Sequence, residues 1–222
     1  MIWLLFIAMF NLSQSINRHL QHPDEKIFDL VVADIISYHN RPVRNISDLK
    51  QKEDKHLKGQ SWELFCQAWL QAQHKYQNVW LLSEVPIEIR QSLRLSKLDC
   101  GIDLVVQTQA GFISVQCKFR EKGKLLPWKS VDSFVGLTLL TGPWQGGIIM
   151  TNLAGIGRKQ VPVEGKFKCC GYKTFAKTSR EVWIRMAQAQ PANQTTNQTA
   201  NQTTPNPTLQ QLRELRLKAL SP

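Results

Sequence analysis

One stretch of the chain, residues 99–118, constrains the fold more than any other. Ile102 to Gln107 and Phe112 to Lys118 are two short runs of β-branched and apolar residues. The segment Thr108–Gly111 between them has the composition of a hairpin turn. The pattern therefore predicts two antiparallel strands joined by a tight turn.

Side chains alternate between the two faces of a strand, and this alternation divides the second predicted strand. Gln116 and Lys118 project from one face, whereas Val115 and Cys117 project from the other. The first strand begins near Asp103, so a carboxylate, an amide oxygen and an ammonium are predicted to converge at a sheet edge. Mg²⁺ takes oxygen ligands and is usually bound through one or two carboxylates together with substrate phosphates. The pattern thus favours a site where a divalent cation meets a phosphate.

The order Gly101-Ile-Asp103 followed by Gln116-Cys-Lys118 resembles the signature of the PD-(D/E)XK nucleases, in the variant in which Gln replaces the second acid. Gln116 follows Asp103 by 13 positions, a gap that suits one strand, one turn and one strand. The chain resembles the Mrr-like restriction endonuclease domain found at the N-terminus of predicted restriction helicases. The resemblance covers roughly residues 56–160, and its flanking segments follow in the family's order: Lys58–Phe65, Asn78–Leu81, Val131–Phe134 and Gly147–Thr151.

This resemblance implies a metal-dependent DNA endonuclease of the restriction type, with Mg²⁺ or Mn²⁺ as cofactor. It implies that Asp103, the Gln116 side chain and the backbone carbonyl of Cys117 hold the metal. Lys118 would orient the attacking water or neutralise charge in the transition state. Glu63 matches a family helix that carries an auxiliary acid, and is assigned as a further ligand or water-holder. The alternative for Glu63 is a first-turn acid favoured by the helix dipole.

The whole chain is predicted to be an α/β protein, with a restriction-endonuclease-like mixed sheet flanked by helices and an N-terminal helical extension. Helical periodicity over Gly59–Lys75 forms an apolar stripe of Trp62, Phe65, Cys66, Trp69 and Leu70. Further helices are predicted at Asp24–His39 and Lys129–Leu140, and strands at Val79–Val85, Gly146–Thr151, Tyr172–Phe175 and Val182–Met186. Pro86 to Lys97 is interpreted as a polar excursion.

Four regions are predicted along the chain. Residues 1–55 form the N-terminal extension, and residues 56–186 form the nuclease domain. Residues 187–208 are a linker rich in Asn, Gln and Thr that cannot bury a core and is predicted to be disordered. Residues 209–222 regain helical periodicity with basic residues and are predicted as a short helix.

The positive charge is concentrated after the motif. The chain carries a net charge of +11, and residues 118–186 contain thirteen basic and four acidic residues. Such a bias is expected of a surface that meets a polyanion, and DNA is the partner predicted. A solvated basic face is the alternative. The basic run Phe119–Lys124 at the mouth of the predicted site would grip phosphates, or would be an ordinary charged loop.

The cysteines and the apolar N-terminal run indicate where in the cell the protein is expected. The five cysteines show no metal-finger spacing and are interpreted as reduced thiols of a cytoplasmic protein. The apolar run Met1–Phe10 is shorter than the roughly 20 residues that span a bilayer, so no membrane partner is favoured, although a membrane-associated protein is a third hypothesis. Asp99 precedes the turn-forming Gly101 and is ranked below Asp103 as a ligand.

Two matters stay open at the level of sequence. Gln116 in place of an acid removes one negative charge, which is expected to weaken metal affinity. A catalytically inactive nucleic-acid-binding module with a nuclease-like fold is therefore the alternative function. A helicase or restriction–modification subunit and a second copy of the chain are left open as partners.

Overall fold

The structure, a computed structural model, describes residues 10–40, 56–96, 101–157 and 165–189. Several sequence predictions lie outside these ranges: the apolar run up to residue 9, the polar connector at 41–55, Asp99, and the linker and basic helix from residue 190. None of the described helices is long and apolar enough to cross a membrane.

Within the described ranges the chain forms α-helices that lie around one five-stranded sheet. The helices are α1 (Leu12–His19), α2 (Asp24–Asn40), α3 (His56–Gln71), α4 (Ile87–Ser92), α5 (Asp132–Leu140), α6 (Tyr172–Ala176) and α7 (Arg180–Gln188). The strands are β1 (Asn78–Leu81), β2 (Leu104–Thr108), β3 (Gly111–Lys118), β4 (Trp144–Thr151) and β5 (Phe167–Cys170). Two 3₁₀ turns occupy Leu82–Glu84 and Trp128–Ser130.

The sheet is mixed, and its strands follow chain order from β1 to β5. The first three strands pair antiparallel, and the β2–β3 hairpin sets Leu104 opposite Val115, as the alternating pattern predicts. Strands β3, β4 and β5 pair in parallel. Parallel neighbours need a crossover connection, which α5 supplies between β3 and β4. The predicted α/β architecture, with helices at its N-terminus, is confirmed.

Each face of the sheet covers its own hydrophobic core. The first, here called the aromatic core, packs α1, α2, α3, α6 and α7 against the sheet. Its largest buried side chains are Phe28, Trp62, Phe65, Phe175 and Trp183, which are all at most 1% exposed. The second, here called the opposite core, contains Leu93, Val105, Phe134 and Ile149. Covering both faces leaves the sheet almost no exposed surface except at the strand ends.

The aromatic core explains why α3 forms where the apolar stripe predicts it. Trp62 stacks on Phe65 with ring centroids 4.8 Å apart, and its indole nitrogen donates to the carbonyl of Met150 over 3.3 Å. Trp69 donates to Thr178 Oγ1 over 2.9 Å. Burying such rings stabilises the fold by roughly 2–3 kcal/mol each. The stripe therefore packs α3 against β1 and β3.

Two predicted strands are wrong. Tyr172–Phe175 and Val182–Met186 lie in α6 and α7, and the last strand of the sheet is β5. The buried residues of α7 are Val182, Trp183, Met186 and Ala187, a spacing that matches one face of a helix and not the period of a strand. Both short segments complete the aromatic core, so their burial in the folded chain decides their conformation.

The segment between β1 and β2 also differs from the prediction. The predicted strand Val79–Val85 ends at Leu81, because Glu84 Oε2 accepts a hydrogen bond from the Leu81 amide over 3.2 Å and closes a 3₁₀ turn. Within the predicted polar excursion, Ile87–Ser92 is helical. Pro86 precedes its first residue, and proline favours the start of a helix because its missing N–H would have no partner there.

Candidate functional site

Asp103 lies against the end of the central strand. One step beyond the register of Leu104 with Val115, it stands beside Gln116 of β3. Its amide donates to the carbonyl of Val115 over 2.8 Å, and its carboxylate oxygen Oδ2 accepts a hydrogen bond from the amide of Cys117 over 2.5 Å. The Asp103 carboxylate is therefore held on the main chain between Gln116 and Lys118.

Gln116 is buried, with 1% of its surface exposed. Its carboxamide oxygen Oε1 is inaccessible to solvent, and no donor among the described residues bonds it. An unpaired buried polar atom costs about 1–3 kcal/mol, so this side chain is expensive to keep where it is. The described residues leave this oxygen open to a further partner.

Gly101 makes room for the Gln116 side chain. Its backbone has φ +103°, a conformation that favours glycine, and a Cβ there would lie 3.3 Å from Gln116 Nε2. The same point lies 3.6 Å from Ser133 Oγ and 3.8 Å from the backbone nitrogen of Phe134. The first turn of α5 therefore faces the Gln116 carboxamide across this glycine.

Lys118 is the last residue of β3 and pairs with Thr151 of β4. Strand alternation puts its side chain on the face of Gln116. The side chain is half-buried, and it makes no hydrogen bond or ion pair within the described parts of the chain. Its ammonium is thus available to a charged ligand beside Asp103.

Glu63 lies on α3 and is half-buried. Burial raises the pKa of the Cys117 thiol well above its usual value, contact with the Cys66 thiol adds to this, and the Asp103 and Glu63 carboxylates raise it further. Both carboxylates also raise the pKa of the neighbouring Cys66 thiol. Asp103 and Glu63 therefore lie close enough to act on the same pair of thiols, and the structure brings α3 to the strand end that carries the motif.

The expected position at a sheet edge is wrong. β3 is the third of five strands, so the motif lies at the carboxyl end of the central strand and is flanked by β2 and β4. The hairpin pattern could not show this, because it carries no information about what pairs with the second strand. The central position removes Gln116 from solvent.

The basic run after Lys118 is held by residues that the sequence reasoning missed. Asn152, directly after β4, accepts from the Arg120 amide over 2.9 Å and donates to the Arg120 carbonyl over 2.7 Å. Lys58 at the start of α3 pairs with Glu121 and donates to Asn40 Oδ1 over 2.7 Å. The Lys58 ammonium lowers the pKa of the Glu121 carboxyl. These contacts anchor the loop beside the strand end, and only the position of Asn152 after a predicted strand could have signalled its role.

The residues present are suited to a hard divalent cation. Within the described ranges no group of three or more His, Cys, Asp or Glu side chains could hold a metal ion. The predicted ligand set differs from such a group, since it combines the Asp103 carboxylate with an amide oxygen and a main-chain carbonyl. All three donors are oxygen atoms, which Mg²⁺ and Mn²⁺ prefer. The unpaired Gln116 oxygen is the observation that fits a cation at this site.

Comparison with known proteins supports the fold of this region. Residues 70–159 match the model of a family described as restriction endonuclease. Asp103, Gln116, Cys117 and Lys118 lie inside the matched residues, and Glu63 lies before them. No curated protein matches the sequence.

A solved structure, that of the protein of unknown function AF1548, is similar at 16% sequence identity and a TM-score of 0.37. The match covers 58% of this chain and 68% of that one. A likeness at this TM-score supports no inference about fold or function. The family match and the mixed sheet flanked by helices are both consistent with a restriction-endonuclease-like α/β fold.

Proposed function

We propose that this protein is a metal-dependent endonuclease that hydrolyses phosphodiester bonds in DNA. The observation that carries the proposal is the meeting of Asp103, Gln116 and Lys118 at one strand end, with the Asp103 carboxylate on the Cys117 amide and the Gln116 oxygen unpaired. A restriction-endonuclease family match over the same residues supports the reaction class.

The roles proposed for the residues follow from their atoms. The Asp103 carboxylate, the Gln116 Oε1 and the Cys117 carbonyl would hold Mg²⁺ or Mn²⁺, and Glu63 would hold the metal or a water bound to it. When bound, the ion would polarise the scissile phosphate and lower the pKa of a water molecule. Lys118 would orient that water or neutralise the charge that develops on the phosphate.

The Cys117 amide has a separate task. It donates to Asp103 Oδ2 and so fixes one carboxylate oxygen. Asp103 is thereby prepared to meet a cation without rearranging.

DNA is proposed as the substrate because the positive charge follows the motif. Arg120, Lys122 and Lys124 are exposed in the loop that Asn152 and Glu121 anchor beside the strand end. Basic residues at such a place would contact phosphates next to the scissile bond, and affinity would fall as salt rises. Residues 56–186 are proposed as the nuclease domain. A helicase or restriction–modification subunit and a second copy remain proposed partners.

The test is cleavage of plasmid DNA, methylated and unmethylated, by the purified full chain with Mg²⁺, with Mn²⁺ and with chelator. We expect metal-dependent cleavage that Asp103→Asn and Lys118→Ala each reduce on the order of a hundredfold to a thousandfold. Asp103→Asn keeps an acceptor for the Cys117 amide, so the fold is expected to survive.

The matched control for the loss of a positive charge is Lys26→Ala, since Lys26 is exposed on α2 and belongs to a region of balanced charge. It should cut like the unaltered chain. DNA binding by Lys118→Ala should be largely retained. Binding of DNA without cleavage under every metal condition would instead favour the inactive binding module and overturn the endonuclease.

A further inference from the structure

Hydrogen-bond donors lie around the space beside Gly101. Three groups surround the space beside Gly101: Gln116 Nε2 at 3.3 Å, Ser133 Oγ at 3.6 Å and the Phe134 amide nitrogen at 3.8 Å from the position of a Cβ. Each of these groups can donate a hydrogen bond. A glycine at φ +103° lets the three approach one another, and any side chain there would fill the space between them.

Two of these groups lack partners in the described structure. Gln116 is 1% exposed, its Oε1 is bonded by no described residue, and no hydrogen bond joins its Nε2 to a described residue. Phe134 is the third residue of α5, and the first four N–H groups of a helix have no partner inside it. The Ser133 amide is already used, since it donates to Asp132 Oδ1 over 2.7 Å. Ser133 Oγ faces the site with its hydroxyl.

We propose that Gln116 Nε2, Ser133 Oγ and the Phe134 amide form a binding site for a phosphate oxygen of the DNA backbone, which positions the phosphodiester for cleavage. The inference rests on the proposed endonuclease function and adds the group that holds the substrate. A helix N-terminus with free N–H groups favours an anion. Lys118 on the same face adds positive charge, while the exposed Asp132 carboxylate opposes it at the same helix end.

This gives the glutamine a use that an acid could not serve. A carboxamide presents an oxygen and an NH₂ group, so Gln116 can offer Oε1 towards Asp103 and Nε2 towards α5 at the same time. A glutamate at 116 would supply two acceptors, and its charge would repel a phosphate oxygen next to Ser133. The exchange of acid for amide therefore gives up some metal affinity and gains a donor for the substrate.

The test uses inorganic phosphate as the probe and requires no cleavage. The ¹⁵N-labelled full chain is titrated with phosphate in chelator at constant ionic strength, and amide signals are followed by NMR. We expect saturable shifts at the Phe134 backbone amide and the Gln116 side-chain NH₂. Ser133→Ala should weaken the dissociation constant about tenfold, because one hydrogen bond to a charged ligand is lost. Gln116→Glu should weaken it at least as much.

Ser92→Ala is the matched control, since Ser92 is exposed at the end of α4 and its hydroxyl donates only to the Ile89 carbonyl. It should leave phosphate binding unchanged. Shifts confined to surface lysines, or an unchanged dissociation constant for Ser133→Ala, would overturn the inference and leave a buried water as the partner of Gln116.

Kinetics separate this inference from the endonuclease proposal. If the chain cuts plasmid DNA, Ser133→Ala should raise KM about tenfold with little change in kcat, since the contact is present before and during the reaction. If the unaltered chain cuts DNA and Ser133→Ala cuts it with the same KM and kcat, the phosphate site is rejected and the endonuclease proposal stands. If phosphate binds at Phe134 but the chain never cuts DNA, the endonuclease proposal is rejected and the phosphate site stands.

Discussion

The two faces of the central strand β3 differ in what they bury. On one face, Val115 and Cys117 pack into the aromatic core. On the other, Ser114 and Gln116 are buried beside the opposite core, at 0% and 1% exposure. The Ser114 hydroxyl is paired with Thr138 of α5 over 2.9 Å, whereas the Gln116 oxygen is paired with no described residue. One face is built for packing, and the other keeps a polar atom that packing does not require.

The comparison teaches how stability and function are divided within one strand. Neighbouring side chains lie about 3.3 Å apart along the chain but point into different layers. The aromatic core can therefore stabilise the sheet while Gln116, on the other face, keeps a buried unpaired oxygen that lowers stability. Such a cost persists only where the surrounding packing outweighs it.

The largest effect on stability is expected in the aromatic core. Trp62→Ala should destabilise the fold by about 3–5 kcal/mol, because it empties a fully buried site beside Phe65 and removes the donor to Met150. Urea unfolding measures the loss. Trp128→Ala, at a half-buried indole of the opposite core, is the control and should cost less than half as much. Equal losses would show that the two faces do not differ in this way.

Beside the opposite core, replacing Gln116 by an apolar side chain is expected to keep or raise the stability of the fold. Gln116→Met keeps the volume and removes the unpaired polar atoms, so unfolding free energy should stay unchanged or rise by about 1–2 kcal/mol. Cleavage should be lost at the same time. A drop of more than about 1 kcal/mol in urea unfolding would mean that the folded chain itself satisfies the amide, and the contrast between the faces would fail.

The thiols of the aromatic core predict how stability depends on pH. Burial raises the pKa of Cys117 well above 9.0 and raises that of Cys66. The unfolded chain then loses its thiol protons before the folded chain does. Their contribution is complete below pH 9.0 and is lost as pH rises towards the folded-state values, by about 1.4 kcal/mol per pH unit for each thiol.

Urea unfolding between pH 8 and pH 11 checks this expectation, with Cys66→Ala/Cys117→Ala as the comparison. The double variant should show a flatter fall in stability, because it has no buried thiol to keep protonated. Cys169, whose pKa burial raises to about 11, is present in both proteins. Curves of equal slope for the two proteins would show that these thiols are solvated.

The smallest effect on stability is expected at the surface ion pair between Lys58 and Glu121. Lys58 and Glu121 are partly exposed, and such ion pairs contribute about 0–1 kcal/mol. Lys58→Ala should therefore change unfolding free energy by less than about 1 kcal/mol. It should still loosen the loop at Arg120, which limited proteolysis with trypsin measures. Protection equal to that of the unaltered chain would show that Asn152 alone anchors the loop.

Local patterns predicted the parts of the fold that depend on neighbouring residues. The alternation around Asp103 and Gln116, the turn at Thr108–Gly111 and the stripe on α3 are confirmed because each depends on one strand or one helix face. The strands predicted at Tyr172–Phe175 and Val182–Met186 failed. These segments are short, and as helices they bury the rings of Phe175 and Trp183 in the aromatic core.

The sequence by itself determined which residues share a face of β3 and which residue types follow one another at its end, since the period of a strand is fixed by its geometry. Only the tertiary structure decided that β3 is the central strand. It also decided that α5 covers Gln116, so that the Gln116 carboxamide lies beside Ser133 and Phe134. The physical reason is distance along the chain. Residues 101, 116 and 133 meet through strand pairing and helix packing, and no local pattern encodes which distant group will lie next to a buried amide.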